Sequence, residues 1–176
     1  NETLVLDLSP VLAGNDADSS MVVASINTGG DSNNMYVEMS HDGSMVAITC
    51  PNTDRVLVLE TDEPYERVGW YIEDAFFEPS EYPIAVAWAP DDESVFVGYI
   101  AGPPSSSSNG DGNVRRCYLN KDHDCEHAVA VKGNVRSIGV AGEGEDLVVW
   151  VADDHGYLTA LPSELFDPSL SNSGRG

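Results

Sequence analysis

The residues best equipped for chemistry lie between Cys117 and His127, in the run CYLNKDHDCEH. Asn120, Asp122, Asp124 and Glu126 place oxygen ligands at every second position, as a linear loop does around Ca²⁺, which takes about six to eight oxygens. An EF-hand-type loop carries glycine at its sixth position, where Cys125 stands here, and no bidentate glutamate follows at the required distance. A solvated turn is the plainer account of the same residues. Zinc held by Cys117, His123, Cys125 and His127 is the second metal reading, with a spacing unlike that of standard fingers. The third chemistry is oxidative. Cys117 and Cys125 bracket a short polar loop, and a disulfide between them needs their Cα atoms within about 6 Å. Such a bridge removes two of the four zinc ligands; two buried free thiols are its alternative, and the polar loop and acidic chain favour the bridge. Cys50 ends an apolar strand, where a buried free thiol is the ordinary state and an intermolecular bridge the exception.

Catalytic residues are not assigned. His41, His123, His127 and His155 supply candidate bases, but no Gly-x-Ser-x-Gly turn or comparable nucleophile accompanies them. The sequence also carries no P-loop, dinucleotide fingerprint or zinc-protease helix. His41 in Ser-His-Asp-Gly and His155 in Asp-Asp-His-Gly read as turn residues that accept local hydrogen bonds. Phe76, Phe77 and Tyr82 lie in YIEDAFFEPSEY, a longer connection whose exposed rings flanked by carboxylates would make a docking patch. The competing reading tucks both Phe rings under that loop. Trp70, Trp88 and Trp150 read as fillers of the space between stacked sheets, and Asn1-Glu2-Thr3 is a glycosylation sequon.

Short strands must position these groups. A unit of apolar strand, tight polar turn, second strand and third strand occurs three times. The copies are MYVEMSHDGSMVAITC with RVLVLE, IAVAWAPDDESVFVGY with VRRCYL, and RSIGVAGEGEDLVVWVA with YLTAL. Met45, Val95 and Leu147 open the strand after each turn, 50 and 52 residues apart. Met45, Ala47 and Thr49 alternate with Val46, Ile48 and Cys50, as one buried face requires. Leu147 to Val151 and Val95 to Tyr99 are apolar almost throughout, as in strands covered on both faces. Fourth strands are expected at Met21–Ile26, Glu66–Ile72 and His127–Val131, and Thr3–Leu8 reads as another third strand. The fold class is therefore all-β, in antiparallel four-stranded blades near 35–72, 84–131 and 136–161, within 1–166. About thirteen strands do not close a ring of blades, so a longer chain, a partner or self-association is expected to complete it. Residues 102–113, GPPSSSSNGDGN, read as a flexible insert loop, and 167–176 as a tail or linker.

SHDGSMVAITCPNTDRVLVLETD and PIAVAWAPDDESVFVGYIAG resemble the YVTN and WD40-like propeller repeats over about residues 20 to 161. The resemblance implies a propeller scaffold of a kind that binds proteins, peptides or sugars more often than it catalyses.

Composition sets the environment. Eight Lys and Arg face 30 Asp and Glu, a formal net charge of −22 over 176 residues. Such a surface repels phosphate backbones and anionic headgroups, which disfavours nucleic-acid and membrane partners. It favours cations, solubility of exposed strand edges, or a high-salt or calcium-rich extracellular setting. No apolar run approaches the length of a membrane span, and the N-terminal stretch lacks a signal-peptide pattern. The expectation is a non-enzymatic interaction or structural scaffold module of a larger assembly, secreted, extracellular or lumenal, with no cofactor unless calcium. A propeller-type hydrolase or lactonase and a calcium-stabilised adhesion or filament subunit are the alternatives.

Overall fold

The computed structural model describes residues 2–6, 12–13, 22–27, 36–51, 55–62, 67–71, 81–101, 111–119, 125 and 128–167. They are mostly β. The strands β1 (Glu2–Leu6) and β2 (Val22–Asn27) pair with each other. The first four-stranded sheet holds β3 (Val37–Met39), β4 (Met45–Cys50), β5 (Arg55–Glu60) and β6 (Arg67–Tyr71). The second holds β7 (Glu81–Trp88), β8 (Ser94–Ala101), β9 (Gly112–Tyr118) and β10 (Val129–Val131). The third holds β11 (Val135–Ala141), β12 (Val148–Asp153) and β13 (Leu158–Pro162). Among the described residues all pairings are antiparallel between chain neighbours. Each sheet is thus a meander, with alternate connections at the same end; the β3–β4, β7–β8 and β11–β12 turns mark what we call the upper end.

The three sheets stack in chain order because the middle one is apolar on both faces. Val86, Trp88, Val95, Val97 and Tyr99 pack with Ala47, Val56 and Val58 of the first sheet. Ala85, Phe96 and Val114 pack with Val135, Val149, Val151 and Leu161 of the third. Burial of side chains this size contributes roughly 1.5–3 kcal/mol each. Trp88 adds a directional tie, its indole Nε1 donating to the Glu38 carbonyl at 3.0 Å. The alternation expected in β4 is present, since Ala47 and Met45 join the shared core while Val46, Ile48 and Cys50 form a separate cluster behind it.

Strand pairing shifts the expected register. Val46 pairs with Met39 as Val95 pairs with Trp88, so Val46 rather than Met45 is the counterpart of Val95. The third turn spans residues 142–147 between the paired Ala141 and Val148 and contains a single 3₁₀ turn at Gly144–Asp146. Two boundaries also move. Gly112 and Asn113, read as part of the insert, belong to β9 and are buried. Gly112 is required there by close approach, with its N–H donating to the Gly133 carbonyl at 2.7 Å. Tyr82, read as part of a connection, lies half-buried in β7 opposite Ile100.

Candidate interaction face

Polar clasps join the sheets at both ends. At the upper end the Asp92 carboxylate crosses from the β7–β8 turn to the β3–β4 turn. It accepts the backbone N–H groups of His41 and Asp42 at 2.9 Å each, and the His41 Nδ1 lies 2.9 Å from it. Asp92 sits at φ 55, in the place that Gly43 holds at φ 77 in the first turn. Asp42 and Asp91 each close their own turn through a side-chain oxygen, to the N–H of Ser44 at 2.8 Å and of Glu93 at 3.0 Å. At the lower end Asn134 is buried and binds both neighbours. Its Oδ1 accepts the Ala101 N–H at 3.1 Å, while its backbone N–H and Nδ2 donate to Asp154 at 2.9 Å each.

These bonds set the response to acid. Burial pushes the Asp92 carboxyl up, but the three bonds from His41 and Asp42 outweigh it and hold the group below its ordinary value. Hydrogen bonds from Ser44 lower Asp42, and those from the Asn134 side chain, then its backbone, lower Asp154. Each depressed carboxylate contributes stability that is complete above about pH 4 and lost as pH falls through the lower folded value. Glu38 runs the other way: burial raises it, so its contribution belongs to acid and fades as pH rises. We expect the melting temperature to drop below about pH 4, with Asp92→Asn lowering it near neutrality and flattening the acid limb. An unchanged acid limb in Asp92→Asn would remove the clasp from the account.

The remaining polar clusters are structural. Ser40 and Ser44 hydroxyls donate to Asp42, at 2.8 Å each, rather than to His41, so they deliver no nucleophile to the His41–Asp92 pair. Asp153, Asp154 and His155 bring ligand atoms within 4.8 Å of one another. Yet Asp153 Oδ1 already accepts the N–H groups of His155 and Tyr157, at 2.9 and 3.0 Å, and both Asp154 oxygens serve Asn134. Between the upper turns of the second and third sheets lies a cleft of about 390 Å³ lined by Pro90, Asp91, Arg116, Glu143, Gly144 and Leu147. Arg116 is fixed as a strut there, its Nε donating to Ser94 Oγ at 2.9 Å and its guanidinium over the Phe96 and Tyr118 rings.

Cys117 and Cys125 form a disulfide, which closes the loop they bracket and takes both sulfurs out of any zinc set. Asn120, Asp122, His123, Asp124, Glu126 and His127 lie outside the described residues, as do Phe76, Phe77 and Asn1. Cys50 is buried and takes no part in this disulfide.

What stands out is the far side of the third sheet. Pairing aligns three rows on it: Ala141, Val148 and Pro162; Gly139, Trp150 and Ala160; Ser137, Ala152 and Leu158. None of the nine is ionisable, in a chain whose charged residues make up 22%. Trp150 is 42% exposed and Leu158 67%. The expectation that Trp150 fills a space between sheets, and that β12 is covered on both faces, is therefore corrected. Val149 and Val151 are buried against the second sheet while the alternate residues meet water. Neither comparison with protein families nor comparison with curated proteins finds a match for this chain.

Charge surrounds the bare face unevenly. At the upper end Glu143, Glu145, Asp146, Glu164 and Asp167 are all exposed. The lower end is mixed, with Arg136 3.6 Å from Asp154 and Lys132 over the Tyr157 ring. Sequence reasoning missed the face because its strands look fully buried. It also missed the Asp92 and Asn134 clasps, whose one trace in the sequence is Asp-Asp where the first turn has Asp-Gly.

Proposed function

We propose that this chain is a non-enzymatic interaction module whose sheets are successive blades of a propeller-type stack, and whose last sheet receives another protein surface. The observation that carries the reading is the uncharged outer face with Trp150 and Leu158 exposed. An apolar patch of this kind on a strongly acidic chain is retained for contact rather than for solvation. The stack order supports the propeller reading, as does the reach of the Tyr36 hydroxyl, beside the first strand of the first sheet, to the Arg136 carbonyl in the first strand of the third. The Cys117–Cys125 disulfide supports an oxidising compartment. Among the described residues no helix is long and apolar enough to cross a membrane.

Light scattering at two ionic strengths tests the reading. With a net charge of −22, isolated chains repel one another in dilute buffer. At about 1 M salt, where screening acts within roughly 3 Å, the face should drive association. Trp150→Asp and Leu158→Asp should both suppress it. Equal masses for parent and variants at every salt concentration would overturn the proposal.

A further inference from the structure

Among the described residues the third sheet has one strand fewer than the first two. The first two sheets hold four strands, whereas β13 is the last strand of the third and, among the described residues, pairs on one side only. The chain does not supply the missing strand itself from the residues that follow directly. After Pro162 it enters a 3₁₀ turn, Ser163–Phe166, that carries Phe166 into the core against Phe96, ring centroids 5.1 Å apart. An open edge of this kind offers a row of backbone N–H and C=O groups to any extended segment.

From this edge, and resting on the reading of the adjoining face as a docking surface, we propose that β13 accepts an extended segment of a partner protein. That segment adds antiparallel and has a basic N-terminal end followed by alternating apolar residues. Antiparallel addition is the arrangement of every strand pair among the described residues. It places the start of the incoming segment beside Pro162 and its end beside Leu158. The start then lies at the upper end, among Glu143, Glu145, Asp146, Glu164 and Asp167, where neither 3₁₀ turn carries a basic residue. Lysine or arginine there is matched by charge. Further along, every second residue lies beside the uncharged rows that include Ala160 and Leu158, which calls for apolar side chains. A second copy of this chain is a poorer occupant. Its own β13 is preceded by Asp153, Asp154 and His155, and antiparallel pairing would bring that acidic flank to the acidic upper end.

Two labelled peptides of identical composition test the idea on the full chain. One carries three lysines and then alternating valine and threonine; the other has the same residues in reverse order. By fluorescence anisotropy the first should bind about tenfold more tightly, and the preference should vanish at about 1 M salt. Glu143→Lys with Glu164→Lys, both at exposed positions, should abolish the preference without lowering the melting temperature. Leu158→Asp should abolish binding of either peptide. Equal binding of the two peptides overturns the polarity and charge of the occupant, while Leu158→Asp still reports whether the face is used. No binding of either, with salt-driven association through Trp150 intact, overturns strand addition and leaves the docking reading standing. No binding and no association overturns both. A dimer in dilute buffer that excludes the peptides assigns the edge to a second copy and overturns the proposal.

Discussion

Replacing Trp88 with alanine should destabilise the chain by about 3–5 kcal/mol, the range for deleting a large buried aromatic ring. In a chain of this size, that lowers the melting temperature by on the order of 10 °C. Trp88 is 1% exposed and sits where the first two sheets share their core. Two losses combine in the alanine variant: the cavity left by the indole, and the bond from its Nε1 to the Glu38 carbonyl at 3.0 Å. Trp88→Phe separates them. It keeps a ring in the core and gives up the bond, so its cost should be the smaller, with about 1 kcal/mol of it from the bond. Thermal unfolding followed by circular dichroism measures all three proteins. A melting temperature for Trp88→Ala within a degree or so of the parent would mean that the two sheets do not depend on this shared core.

The second large effect comes from one methyl group. A Cβ on Gly112 would lie 2.7 Å from the carbonyl oxygens of both Gly133 and Tyr99 and 2.9 Å from the Val135 nitrogen. All three are backbone atoms, so relief requires β9 at Gly112 to shift away from both Tyr99 in β8 and the β10–β11 turn. That movement also breaks the Gly112–Gly133 hydrogen bond. Gly112→Ala should therefore cost about 3 kcal/mol or more, at the upper end of what overpacking does. Gly139→Ala provides the contrast, because a Cβ there meets nothing within 4 Å. It should shift stability by no more than about 0.5 kcal/mol, as exposed substitutions do. Urea unfolding of the two variants compares them directly. Similar midpoints for both would show that the junction between the second and third sheets is looser than this packing requires.

Both experiments probe junctions, and junctions are where local pattern stops being informative. The Asp-Gly of the first turn and the Pro-Asp-Asp of the second mark hairpins because tight turns need αL positions and side-chain caps. Nothing local says that Asp92 closes the turn of the neighbouring sheet, a partner about fifty residues away in the chain. Gly112 was hidden for a related reason. Its neighbours Gly110, Asp111 and Asn113 have loop composition, and the demand for a missing Cβ comes from the Gly133 and Tyr99 backbones.

Trp150 is the sharpest case. β12 reads Val-Val-Trp-Val-Ala, a run that suits a strand covered on both sides. Covering a face takes another sheet, and no periodicity within one strand reports whether a neighbour is there.

By itself, then, the sequence determined what strands and turns depend on locally. That includes the β character of the chain, the order of strands and turns, their grouping into meanders, the two alternating faces of β4, and the strong net acidity. Each follows from a period of two, from turn chemistry or from summed charge, all properties of neighbouring residues or of composition. Only the tertiary structure decided the true register of the first hairpin, the Asp92 and Asn134 clasps, the close approach at Gly112, and which apolar face meets water. Those depend on contacts between residues far apart in the chain, and an exposed Trp150 differs from a buried Trp88 by what is packed against it, not by what precedes or follows it.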